Sequence, residues 1–157
     1  MSHPVLAGVD GSAHSAVAAD WAAREATLRG VRLHLVHASP PLPGTAVPLP
    51  AVARLRHLGE QMLQRAVTDL SVRHPDLEVR SEQTDEAPAA ALLTAARAAG
   101  LLVVGTRGMG GFDGLAVGSV ALRVARGPRA RSYWCPDDVT APSETGRARP
   151  AAPPRWW

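Results

Sequence analysis

Val5-Leu6-Ala7-Gly8-Val9-Asp10-Gly11-Ser12 decides the fold class of this chain. Val5 to Val9 is a short, continuous apolar run, the pattern of a strand buried on both faces. Asp10-Gly11-Ser12 then supplies a turn and a helix cap, because short polar side chains hold the first free N–H groups of a helix. A buried strand that passes at once into a helix is the opening unit of a layered α/β protein.

Outward from that unit, strand and helix patterns alternate. Val17, Trp21 and Leu28 share one helical stripe, and Gly30 stands where a left-handed cap closes the helix. Leu33 to Ala38 is the second strand. Pro40, Pro41, Pro43, Pro48 and Pro50 then mark an exposed connection, since proline fits neither a helix interior nor a central strand. A second helix is predicted from Val52 to about Val72, with Leu55, Leu58, Met62, Ala66 and Leu70 on its apolar face. Leu77, Val79 and Ser81 alternate with charged residues, which suits an edge strand. Pro88 opens a third helix carrying Leu92, Leu93 and Ala96 inward. Leu101 to Val104 is the most apolar strand, and a fourth helix runs near Val117, Val120, Ala121 and Val124. Crossovers between consecutive strands force a mostly parallel sheet with helices on both faces, a doubly wound three-layer sandwich. In such folds ligands bind beyond the carboxyl ends of the strands, here Asp10, Ala38 and the segment after Val104.

Composition narrows the function classes. At 157 residues, 46% hydrophobic and 20% charged, the chain holds one domain, with no apolar run near the ~20 residues of a membrane-spanning helix. Met1-Ser2-His3-Pro4 lacks the basic start of a signal peptide, so a cytoplasmic location without membrane partners is expected. Cys135 is the single cysteine and the six histidines are scattered, which leaves neither a disulfide framework nor a zinc pattern. All 17 basic residues are arginine, and residues 1–126 carry twelve of them against eleven acids. The high isoelectric point of 10.3 therefore does not mark a basic stripe, and no nucleic-acid partner is expected.

The chemistry concentrates in Gly105-Thr106-Arg107-Gly108-Met109-Gly110-Gly111, followed by Gly118-Ser119 at the start of the fourth helix. Glycines remove Cβ atoms between the backbone and a ligand, so that successive N–H groups converge on an anion. A helix start adds unpaired donors, and the Ser119 hydroxyl adds another. The spacing is not that of a Walker loop, which needs a lysine, nor of the dinucleotide fingerprint, which follows a first strand. On the residues alone, the stretch reads equally as a phosphate cradle or as a connection that lets the last helix pack closely.

Residues 4 to about 126 resemble the universal stress protein family in Ala7-Gly8-Val9-Asp10-Gly11-Ser12, in Trp21-Ala22, in Val36-His37-Ala38 and in the glycine loop. The nucleotide-binding branch of that family carries Gly, two residues, Gly, nine residues, Gly-Ser/Thr, which Gly105, Gly108, Gly118 and Ser119 meet without a gap. The resemblance implies a sheet ordered 3-2-1-4-5. It implies ATP, with Mg2+, as ligand: Gly8, Asp10, Ala38 and Ser39 border the adenosine, while Gly105, Thr106, Arg107, Gly108, Met109, Gly110, Gly111, Gly118, Ser119 and Val120 hold the phosphates. Asp10 also suits a turn or cap, Arg107 a solvated loop, His37 a hydrogen-bonded position and Trp21 the core. Neither catalytic residues nor protein metal ligands stand out. The expected function is that of a stress-response regulator whose nucleotide changes its associations, with hydrolysis slow at most. A slow ATP hydrolase and a ligand-free partner-binding module or failed product are the alternatives.

Residues 127–157 depart from the family pattern, which continues after the fourth helix into a fifth strand beginning near Cys-Pro and rich in valine or leucine. Here the strand is missing or replaced by a Pro-, Ala- and Arg-rich tail ending Arg155-Trp156-Trp157. Arg129 to Asp137 can be back-translated as CGT GCC CGG TCG TAC TGG TGC CCG GAT GA. Read two bases later, that string encodes Cys-Pro-Val-Val-Leu-Val-Pro-Gly and a stop, and the single codon of Trp134 fits. A frameshift near Gly127 to Arg129 is the expected origin of the tail. The expectations that follow are an exposed edge along Leu101 to Val104, disorder beyond Asp137, and loss of the final strand through which relatives form homodimers.

Overall fold

The computed structural model describes residues 3–39, 48–108 and 117–127, and the backbone of 132–135. The elements run β1 (Val5–Gly8), α1 (Ala13–Arg29), β2 (Leu33–Ala38), α2 (Leu49–Arg73), β3 (Val79–Thr84), α3 (Pro88–Ala96), β4 (Leu101–Gly105), α4 (Ser119–Ala125) and β5 (Ser132–Cys135). The sheet is parallel and ordered β3-β2-β1-β4-β5. One apolar cluster joins α1 and α2 to one face, and a second joins α3 and α4 to the other. β1 and β4 at the centre are buried on both sides, as a continuous apolar run requires.

Turn chemistry places the start of α1. Gly11 takes φ +84°, and Ser12 follows as N-cap, its Oγ accepting from Ser15 N at 3.1 Å. Gly30 ends the helix at φ +62°, with its N–H donating to Ala26 O and Thr27 O. Pro50 lies in the first turn of α2, where its missing N–H leaves no bond unmade, so the helix starts three residues earlier than the periodicity predicts. Pro40, Pro41 and Pro43 lie outside the described residues.

The buried faces of the two long helices differ from the expected ones. Val17 and Leu28 are exposed, Trp21 is half-buried, and α1 buries Ala18, Ala19, Ala22, Ala23 and Ala26 instead. Small residues win this face because the helix lies close to the sheet. In α2, Leu55 and Leu58 are exposed, Met62 and Ala66 are partly buried, and Gly59, Leu63 and Leu70 face inward. Gly59 lies beside His37 and Gln83, where a Cβ would come within 2.9 Å of His37 Cδ2. In α3, Leu92 is buried as expected, whereas Leu93 and Ala96 are only half-buried.

The empty edge expected along β4 is corrected: Ser132–Cys135 pairs with it in parallel, from Leu102↔Ser132 to Gly105↔Cys135. Backbone donors and acceptors on β4 need partners whatever the side chains of the adjacent strand. The tail is thus not structureless throughout, and residues 136–157 lie outside the described residues.

A charge cluster holds α1 to the end of α2. Asp20 Oδ2 pairs with Arg24 Nη2 at 2.8 Å, while Asp20 Oδ1 meets Arg73 Nη1 and, at 3.4 Å, His74 Nε2. Asp20 is 15% exposed, so these pairs are screened less than surface ones. Asp20→Ala is expected to lower stability by about 1 kcal/mol, read as a lower urea midpoint at unchanged slope.

Candidate functional site

A cleft of about 270 Å³ opens at the carboxyl ends of β1 and β4, where the winding of the sheet reverses. Gly8, Val9 and Asp10 form one wall, Val36 and Ala38 extend it along β2, and Val104 to Gly108 form the opposite wall. Pro88 and Leu92 of α3, with the N-cap Gly118 and Ser119 to Ala121 of α4, close the remaining side. Ser15 lines the α1 end.

Asp10 divides its carboxylate between two tasks. Oδ1 accepts from Ser12 N at 3.0 Å and from Ser12 Oγ at 2.6 Å, which fixes the turn before α1. Its backbone N–H donates to Ser15 Oγ at 3.3 Å, and Ser15 Oγ donates to Ser12 O at 2.9 Å. Oδ2 faces the glycine loop, so close that a Cβ at Gly108 would fall 2.6 Å from it. Turn and cleft roles therefore coexist in one residue.

Different contacts demand the glycines. A Cβ at Gly105 would lie 2.9 Å from the backbone carbon of His14, so glycine lets the first turn of α1 approach β4. A Cβ at Gly8 would meet Leu92 Cδ1 at 3.0 Å and Val104 Cγ1 at 3.5 Å, across the apolar side of the cleft. Gly118 is less constrained: its φ of −73° suits any residue, and a Cβ would meet Thr106 O at an ordinary 3.4 Å. Its N–H donates to Thr106 O at 2.7 Å and ties the start of α4 to the loop after β4.

Of the residues expected at the site, Gly8, Asp10, Ala38, Gly105, Thr106, Arg107, Gly108, Gly118, Ser119 and Val120 line this cleft. Arg107 lies in it with Nε buried, and Ser119 stands exposed at the rim. Ser39 turns elsewhere: its N–H donates to Thr84 O at 2.9 Å and its hydroxyl meets His37 Nε2 at 3.0 Å. His37 in turn donates from Nδ1 to Val9 O at 2.9 Å, a structural tie between β2 and the end of β1. Met109, Gly110 and Gly111 lie outside the described residues.

Sequence reasoning missed Val9, Ser15, Val36, Pro88, Leu92, Val104 and Ala121. All but Ser15 and Pro88 are apolar and read as core. Pro88 carried a usable signal, since a helix that starts just after a parallel strand starts at the ligand edge of the sheet. Among the described residues, no group of three or more His, Cys, Asp or Glu side chains could hold a metal ion. No helix among them is long and apolar enough to cross a membrane.

Fold and cleft together define a doubly wound α/β domain with a ligand-sized opening at its switch point. The chain belongs to the universal stress protein family, whose model matches residues 1–129. It is 39% identical over 124 residues to a universal stress protein of Mycolicibacterium smegmatis, a match covering 78% of this chain and 42% of that protein. It is 38% identical over 132 residues to one of Mycobacterium tuberculosis, covering 81% of this chain and 42% of that protein. The chain thus spans about four tenths of the length of these curated relatives. Among solved structures, a universal stress protein in complex with cAMP superposes at TM-score 0.63 and 27% identity, over 87% of this chain and 98% of that one. A member of the family from Burkholderia pseudomallei gives TM-score 0.64 at 27% identity, over 85% and 96%.

Proposed function

We propose that the chain binds an adenine nucleotide, ATP, in the cleft between β1 and β4 and acts as a stress-response regulator through nucleotide-dependent association. The observation that carries this reading is the convergence of Asp10, the Gly105–Gly108 loop and Gly118-Ser119 on one opening. Glycine backbone at that loop leaves room for phosphate oxygens against N–H groups, and the apolar side formed by Val36, Pro88 and Leu92 suits a flat base. The similar structure at 27% identity, described in complex with cAMP, supports an adenine nucleotide as the class of ligand.

The residues fit Mg2+ only as a companion of the phosphates. Asp10 is the one carboxylate among the described residues of the cleft, and Mg2+ is commonly held by one or two carboxylates together with phosphates and water. When bound, the ion would neutralise phosphate charge beside Asp10.

Titration calorimetry with ATP and Mg2+ is expected to show micromolar affinity, about −8 kcal/mol. Ser119→Ala is expected to weaken binding by about 1–2 kcal/mol through loss of one charge-assisted hydrogen bond, with the fold unchanged. No heat from ATP and none from cAMP would remove the reading. Phosphate release followed over hours separates slow hydrolysis from binding alone.

A further inference from the structure

β3 closes one end of the sheet. Leu33 N donates to Glu78 O at 2.9 Å and Ser39 N to Thr84 O at 2.9 Å, so these carbonyls point toward β2. Backbone direction alternates along a strand. Glu78, Arg80, Glu82 and Thr84 therefore face β2, while Val79, Ser81 and Gln83 turn their N–H and C=O groups outward, and no described strand lies beyond them.

Edge strands are commonly defended by charge. Arg80 and Glu82 are well exposed and sit on the face of the sheet opposite α2. Their signs, however, make the edge complementary to itself. In an antiparallel pair built through the outward residues, a two-fold axis at Ser81 sets Arg80 opposite Glu82 of a second copy, twice by symmetry. It also sets Val79 opposite Gln83. The Arg80 and Glu82 positions form the closely spaced, non-hydrogen-bonded pairs, with Cα atoms about 4.5 Å apart. Moving the axis to Arg80 would set arginine against arginine, and moving it to Glu82 would set glutamate against glutamate. Like charges directly opposite are destabilising. An axis at Val79 would also set Arg80 opposite an acid, Glu78, but would run the pairing past the start of β3, so the axis at Ser81 is the complementary register that keeps the pairing within the strand. Within its own chain Arg80 Nε already pairs with Glu78 Oε1 at 2.7 Å and Glu82 has His34 Nε2 at 3.4 Å, so the cross-axis pairs would extend these exposed contacts to a row of alternating charge.

We propose that a second copy of this chain docks on the outer edge of β3, antiparallel about Ser81, so that one continuous sheet runs through both copies. The proposal is independent of the nucleotide reading.

Sedimentation of the full chain over a range of concentrations at low salt tests it. A monomer–dimer equilibrium is expected, weakened by added salt. Arg80→Glu alone and Glu82→Arg alone should each raise the dissociation constant on the order of tenfold or more, since both symmetric pairs become repulsive. An equimolar mixture of the two variants should restore the dimer, because every acid then meets an arginine. Ser81→Pro removes an outward N–H that the pairing with β2 does not use, and should abolish the dimer while circular dichroism stays unchanged. The proposal is overturned by a chain that stays monomeric throughout or by a dimer indifferent to both charge reversals. Reversals that the mixture does not rescue overturn it as well.

Discussion

Gly108→Val is expected to abolish nucleotide binding while leaving a folded protein. The new Cβ would fall 2.6 Å from Asp10 Oδ2, a separation that side chains do not tolerate. The obstacle is the end of a side chain, not backbone, so the chain can yield. Asp10 swings aside, gives up its contacts to Ser12 N and Ser12 Oγ, and leaves the wall opposite the glycine loop. The remaining valine methyls occupy the space the phosphates need. Loss of the Asp10–Ser12 bonds costs about 1–2 kcal/mol of stability, and loss of the cleft raises the dissociation constant for ATP at least a hundredfold, about 3 kcal/mol. Calorimetry beside a thermal melt separates the two effects. A folded Gly108→Val protein with unaltered ATP affinity would rule out the loop as the phosphate site.

Replacing residues 129–157 with Cys-Pro-Val-Val-Leu-Val-Pro-Gly is expected to raise the melting temperature by about 5 °C. In the observed register, residues 132–134 lie opposite Leu102, Val103 and Val104. The replacement sets Val-Leu-Val at those three positions. The three β4 residues are at most 3% exposed, so their neighbour strand borders apolar space on both faces. β-branched aliphatic residues suit such a strand, and about 1–2 kcal/mol is the expected gain. A melt without gain would remove both the frameshift origin of the tail and the equivalence of the two strands. The β3 edge is untouched by this change, so a dimer formed there should persist in the replaced chain.

The local chemistry of the site is legible in the residues themselves. Asp10-Gly11-Ser12 has to turn into a helix cap, and the gapless spacing of Gly105, Gly108, Gly118 and Ser119 marks the loop. What is not legible depends on distances between elements. Ser39 follows β2 as the resemblance requires, yet its N–H is taken by Thr84, a partner 45 positions away in the chain. The apolar side of the cleft escapes because Val36, Leu92 and Val104 look the same in sequence whether they line a cavity or fill a core.

Sequence by itself determined the alternation of strands and helices, hence the parallel sheet, and the polar half of the cleft, because turns, caps and crossovers are local or nearly local matters. Tertiary structure alone decided which helix faces are buried. Hydrophobicity favoured Val17 and Leu28, but α1 approaches the sheet so closely at its first turn that Gly105 has no room for a Cβ, and the alanines took the buried face. Tertiary structure also divided the two oxygens of Asp10 between Ser12 and Gly108, and seated Ser132–Cys135 on β4. Periodicity records what a residue prefers; close approach between elements sets what can fit, and that distance exists only once the chain has folded.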